Sequence, residues 1–306
     1  MSTKVKDNAP LSRIGKEKSI WTLPQVILVL FILAASMLCL LPFVNVLATS
    51  LSSKSAILSG KVGFWPVETT TIAYEAIFRD KSMWRSLGYT VYITFMYTAI
   101  AMVLTILMAY PLTKKRLRGR KFFNLMALFT MYFSGGTIPI YMNVKELGLL
   151  DTPWALIIPG VLSTYNMIIL KSFFVSIPDS LEEAATIDGA NDFQILLQVY
   201  LPLSLASLAT LTLFYAVGKW NSFQDALYYI TKKDLQPLQL KLYNLIKGAQ
   251  SVDLTAIEGG ASTVATNISE SIESATIIFA TLPILVVYPF VQRYFVSGVT
   301  IGAVKG

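Results

Sequence analysis

Apolar residues run along this chain in long unbroken stretches, not in the spaced stripe of a soluble amphipathic helix. The stretches fall at about 23–47, 87–112, 122–140, 154–170, 199–218 and 275–291. A helix needs roughly 20 such residues to cross about 30 Å of hydrocarbon. The pattern therefore predicts an all-α polytopic membrane protein with six transmembrane helices. The stretches at 122–140 and 154–170 are short and interrupted, by Ser134-Gly135-Gly136 and Pro139 in one and by Pro159-Gly160 in the other. Irregular backbone persists at membrane depth only where protein or a water-filled cavity satisfies it. The 134–139 break is thus either a pathway-lining kink or a helix end at the outer face. A tail at 1–22, a membrane domain at 23–291 and a second tail at 292–306 complete the organisation.

Charge gives the orientation. Lys4, Lys6, Arg13, Lys16 and Lys18 crowd the N-terminal tail, and Lys114, Lys115, Arg116, Arg118, Arg120 and Lys121 follow the second stretch. Basic residues concentrate on the cytoplasmic side, so six spans place both termini in the cytoplasm. The 178–202 loop then also lies inside, by parity, because it is acidic and has only Lys171 near it. The 219–273 segment falls outside despite its lysines, which long loops tolerate. Composition agrees with the membrane reading, at 54% hydrophobic and 14% charged residues. The net charge of +7 is accounted for by these inner loops, without a nucleic-acid partner.

Several chemistries are excluded. The six stretches hold no Asp, Glu, Lys or Arg, and the chain has no histidine, which argues against a proton relay. Cys39 is the single cysteine and sits in the first stretch, so neither a disulfide nor a thiolate metal site is expected. No G-x-x-x-x-G-K-[ST] phosphate loop occurs, so ATP is not hydrolysed by this chain. No catalytic residue, bound metal or bound cofactor is expected. The first stretch is too long for a cleavable signal peptide and lacks a small-residue cleavage site.

One polar island separates two apolar runs. In 178–202, Ser180 followed by Glu183 has the spacing of a capping box, which predicts a helix from about Leu181. Leu181, Ala184, Ala185 and Ile187 give that helix a small apolar surface, and Asp188-Gly189 ends it with Gly189 at positive φ. Asn191 or Asp192 then caps a second helix from Phe193 to Leu201-Pro202. As a plain connecting loop this segment has no reason to be helical, alanine-rich and apolar on one side.

Glu183-Ala184-Ala185, Gly189, Val199, Leu201 and Pro202 match E-A-A-x3-G-x9-I-x-L-P, with valine at the isoleucine position. This resembles the "EAA" pattern of ABC-importer permeases. Further matches resemble the LplC/YtcP branch of the carbohydrate permeases: 133–139, 147–152, 220–230 and 237–240. The 298–306 tail is similar to that of maltose-type second permeases. The resemblance implies a type I importer permease (MetI-like) fold in a bacterial cytoplasmic membrane. It also implies that Glu183, Ala184, Ala185, Ile187, Asp188 and Gly189 contact a partner ATPase as a coupling helix. The tail, with Gly302 and Lys305, would reach toward two ATPase subunits that bind ATP and Mg. Further implied partners are a second permease subunit and an extracellular solute-binding protein, with an oligosaccharide as cargo.

For the cargo path, Tyr165 and Asn166 lie mid-stretch beside Ser163 and Thr164. Rings and amides suit sugars, although such groups also serve as ordinary interhelical glue. Trp220 and Asn221 open the 219–273 segment, which by resemblance touches the binding protein; Trp220 equally suits an interfacial aromatic belt. An amino-acid or peptide permease shares the coupling loop, a stand-alone carrier would not need it, and a membrane scaffold would bind partners yet move nothing.

Overall fold

The structure is a computed structural model that describes residues 23–259 and 270–289, with backbone alone over 249–259. Among the described residues every regular element is helical. The first helices are α1 (Leu23–Ser50), α2 (Lys54–Leu58), α3 (Ile72–Arg79) and α4 (Lys81–Ala109). A basic turn leads to α5 (Arg120–Tyr132), α6 (Thr137–Glu146), α7 (Trp154–Ile157), α8 (Thr164–Val175) and α9 (Asp179–Ile187). Then come α10 (Asp192–Leu203), α11 (Leu205–Asn221), α12 (Gln224–Tyr229), α13 (Leu238–Gly259) and α14 (Glu270–Pro289).

Three segments are long and apolar enough to cross a membrane unaided: Leu23–Ser50, Lys81–Thr113 and Glu270–Pro289. Two bent pairs pass the same test together, α5 with α6 at 110° and α10 with α11 at 84°. The single helix expected over 154–170 does not form. Gly160 at φ +69 separates the four-residue α7 from α8, which begins at Thr164 on the Ser163 cap. The stretch expected at 122–140 likewise breaks over 133–136, where Gly136 has φ +84. Pro139 falls in the first turn of α6, where its missing N–H costs nothing. At 1.5 Å per residue the 13-residue α5 covers only about 20 Å.

The described part of the 219–273 segment is largely helical through α12 and α13, and is tied down at its start. Lys219 belongs to the last turn of α11 and its side chain is buried, the ammonium 3.1 Å from Asp225 Oδ2 and 4.8 Å from the Tyr97 ring centre. Leu238 N–H donates to Thr90 Oγ1 at 2.8 Å, and Lys241 reaches Asp80 Oδ2 at 2.8 Å, so α13 is fastened to α4. Asp151, at φ +56, accepts from the Thr231 amide at 2.6 Å and the Lys232 amide at 2.9 Å. These three amide and hydroxyl donors, Thr231 Oγ1 included, hold its carboxyl below the usual range.

The centre is α4 packed on α8 and α11. Thr105 of α4 and Tyr215 of α11 share a buried 2.7 Å hydrogen bond, and the Ser163 amide donates to the same tyrosine oxygen at 3.2 Å. One buried cluster gathers where α4 ends: Tyr110, Met167, Leu170, Phe174, Leu196 and Tyr200. α1 stands apart, buried only at Ala48, Thr49 and Ser50.

Candidate functional site

The 178–202 island is the site the sequence singles out, and the structure folds it as two helices across the end of the bundle. α9 begins one residue before Ser180, with Pro178 as its N-cap and no side-chain cap bond. The expected Ser180–Glu183 capping box is therefore absent. Proline supplies a fixed φ, and it has no N–H for a Glu to reach. Asp179 and Glu182 in the first turn complement the helix dipole instead.

The other end follows the sequence. Gly189 has φ +82, its amide donates to the Thr186 carbonyl, and the Ala190 amide donates to the Ala185 carbonyl, each at 3.0 Å. Those two bonds form the Schellman pair that closes a helix. Asn191 caps α10 through a full capping box: Asn191 Oδ1 accepts from the Gln194 amide, and Gln194 Oε1 accepts from the Asn191 amide, both at 2.9 Å. Within α10 a π turn spans Leu196–Tyr200, and Ser204 forms the elbow into α11.

Helical spacing divides α9 into two faces. Glu182 and Ala185 lie three apart and turn inward, and Ala185 packs on the buried cluster with Ala190. Glu183, Ala184, Asp188 and Gly189 are exposed, and Ile187 is 86% exposed. The expected apolar surface thus loses Ala185 to the core and keeps Ala184, Ile187 and half-open Leu181.

The inner face holds a charge that sequence reasoning missed. Lys114, just past α4, is buried, and its Nζ lies 2.6 Å from Glu182 Oε2 and 3.1 Å from Tyr200 OH. Tyr200 OH donates to the same carboxylate oxygen at 2.7 Å. The ammonium also sits 4.1 Å and 4.3 Å from the ring centres of Tyr110 and Tyr200. Burial pushes the Glu182 carboxyl up, but hydrogen bonds from Lys114 and Tyr200 and the charges of Lys114 and Arg116 outweigh it and hold it below its ordinary value. Two exposed pairs flank this node, Lys115 with Asp179 and Arg116 with Asp192. The basic turn thus grips the acidic island, so both lie at one end of the molecule. Charge pairing supplies the link that parity alone gave in the sequence.

The other proposed residues are scattered. Tyr165 is half exposed and Asn166 buried, and both line an open cavity of about 690 Å³ with Leu213, Phe214, Gly218 and Tyr288. Trp220 is buried, donating from Nε1 to the Ala280 carbonyl at 3.3 Å, while Asn221 is exposed. An aromatic belt therefore does not describe Trp220 in this conformation. Gly302 and Lys305 lie outside the described residues.

The described residues thus form a bundle of helices with membrane-length apolar members and a two-helix island clamped across one end. The chain belongs to the family described as the binding-protein-dependent transport system inner membrane component, which matches residues 76–301. It is 41% identical to the polygalacturonan/rhamnogalacturonan transport system permease protein YtcP of Bacillus subtilis (strain 168), over 90% of this chain and 96% of that one. It is also 41% identical to protein LplC of the same organism, over 91% of this chain and 93% of that one. Among solved structures it resembles a chain of a bacterial ABC transporter involved in the import of the acidic polysaccharide alginate. That match has a TM-score of 0.78 and 33% identity, covering 88% of this chain and 95% of the other. The family is the membrane component of such systems, and the type I permease fold expected from the sequence is the one found.

Proposed function

We propose that the chain is one of two permease subunits of an ATP-driven importer for oligosaccharides in a bacterial cytoplasmic membrane, with both termini and α9 facing the cytoplasm. The observation that carries the reading is the two-faced α9: its inner face is bound to the bundle, and its outer face offers Ile187, Ala184 and Glu183 to solvent. An exposed isoleucine beside small residues suits a groove on a soluble partner. That partner would be a pair of ATPase subunits holding ATP and Mg, since this chain carries no phosphate loop. A binding protein would deliver cargo at the opposite end. Closure of the ATPase pair would then favour the permease state that it binds more tightly, which is the condition for driving the switch.

Relatives named for polygalacturonan, rhamnogalacturonan and alginate favour a uronate-containing glycan as cargo. The cavity beside Tyr165 and Asn166 offers an aromatic face and an amide of the kind sugars need. The test reconstitutes the complex with its binding protein in vesicles and compares uptake of uronate oligosaccharides, neutral oligosaccharides and amino acids. ATP-dependent uptake confined to oligosaccharides is expected, highest for uronates. Uptake by the chain alone without an ATPase, or uptake of amino acids only, overturns the reading.

A further inference from the structure

The importer reading says where energy enters, but not how a nine-residue surface helix passes its movement to the bundle. α9 and the turn after it touch the rest of the described protein through small contacts, Ala185 and Ala190 on the buried cluster and an exposed pair at Asp179. A slight, mostly exposed helix of this kind should shear on such contacts. The strong attachment is the Glu182 carboxylate, which receives Lys114 at 2.6 Å and Tyr200 at 2.7 Å on one oxygen. Those donors belong to different elements. Lys114 follows the end of α4, and Tyr200 closes the π turn of α10, four residues before the elbow into α11.

We propose that Lys114 is a positioning residue that joins α9 to α4 and to the α10–α11 elbow as one rigid unit, so that a push on α9 turns α4 and α11 together. This rests on the importer reading. The chemistry suits a rigid joint, because one buried ammonium is held at once by a carboxylate, a phenol and two ring faces. A buried charge whose partner is removed is strongly penalised, so the link holds against shear. An open cavity of about 410 Å³ borders Lys114, Tyr110, Arg116 and Asp192 on the side of the basic turn, lined by α4, the turn and α10 themselves.

The test uses the full complex in vesicles and reads ATP hydrolysed per solute imported, together with subunit stoichiometry and thermal stability. Lys114→Met, Glu182→Gln, Tyr200→Phe and the Lys114→Met/Glu182→Gln double variant are compared with the parent. Removing one charge strands the other; removing both does not, so stability and assembly should recover in the double variant. The ATP-to-solute ratio should not recover. We expect it to rise at least fivefold in Lys114→Met and to stay raised in the double variant, with Lys114→Arg close to the parent. Should Lys114→Met fail to assemble, the double variant and Tyr200→Phe carry the comparison, with a raised ratio expected in both. A parental ratio in the assembled double variant and Tyr200→Phe overturns the proposal, since the node would then matter only for folding. A parental complex that imports no glycan overturns the importer reading itself, and this inference with it, before any variant is compared.

Discussion

Replacing Gly189 with valine is a clean perturbation of the island. Its φ of +82 lies in the left-handed region, and a Cβ built there meets nothing within 4 Å. The penalty is therefore conformational rather than steric. Holding an L-residue in that region costs about 1–2 kcal/mol, more for a β-branched side chain. The alternative is to abandon the φ and lose the two 3.0 Å amide bonds to Thr186 and Ala185, at about 0.5–1.5 kcal/mol each. The first route therefore costs at least about 1–2 kcal/mol and the second about 1–3 kcal/mol; even about 1–2 kcal/mol is roughly a 5- to 30-fold loss in the population of the closed turn. α9 has nine residues, and helices shorter than about 12 residues are marginal alone, so it has little reserve to absorb this. Asparagine is the control, because it tolerates the left-handed region. In the reconstituted complex, Gly189→Val should lower ATP-dependent uptake about tenfold while Gly189→Asn stays within about threefold, at equal assembly. Equal uptake in both variants would refute the claim that the turn geometry matters.

Three further outcomes follow from the geometry. Asn191→Ala removes the α10 capping box and should lower stability by about 1 kcal/mol in chemical or thermal unfolding of the purified chain. Tyr215→Phe strands the buried Thr105 hydroxyl and the Ser163 amide, and should cost about 1–3 kcal/mol by the same measurement. Asp80 is pulled down to about 2: burial raises it, but the bonds from Lys241 and Ser82 prevail. A depressed carboxyl stabilises above its unfolded value and loses that effect as pH falls through the folded one. The melting difference between the parent and Asp80→Asn should thus be full at about pH 5, and shrink from about pH 4 toward pH 2. Asparagine keeps the helix cap, so this difference reports the charge alone.

Legibility in the sequence tracked how local the physics was. Gly189, Asn191 and the break before Gly136 were readable because each acts through its own backbone and a neighbour within five residues. Ser180 misled, because Pro178 took the cap position and shifted the helix start. Sequence reasoning singled out Glu183 and passed over Glu182. Only the fold shows that Glu182 meets Lys114, 68 residues away, while Glu183 faces solvent. The one hint was spacing: residues 182 and 185 share a helix side that 183, 184 and 187 do not. Trp220 read as surface because it follows an apolar run, yet its indole is closed over by α14. Hydropathy read 122–140 and 154–170 as single spans, since length along the chain says nothing of a 110° bend or of a glycine at φ +69.

The central claim is that the outer face of α9 is where a soluble ATPase takes hold, and Ile187→Asp tests it most directly. Ile187 is 86% exposed and joins no buried cluster among the described residues, so the substitution should leave the fold alone. Burying isoleucine in a partner's groove is worth about 1.5–3 kcal/mol, and an aspartate there adds a desolvation penalty. Co-purification of the ATPase subunits with the permease pair should fall at least about tenfold, with the amount of permease in the membrane unchanged. ATPase recovery at the parental level from Ile187→Asp membranes would contradict the account.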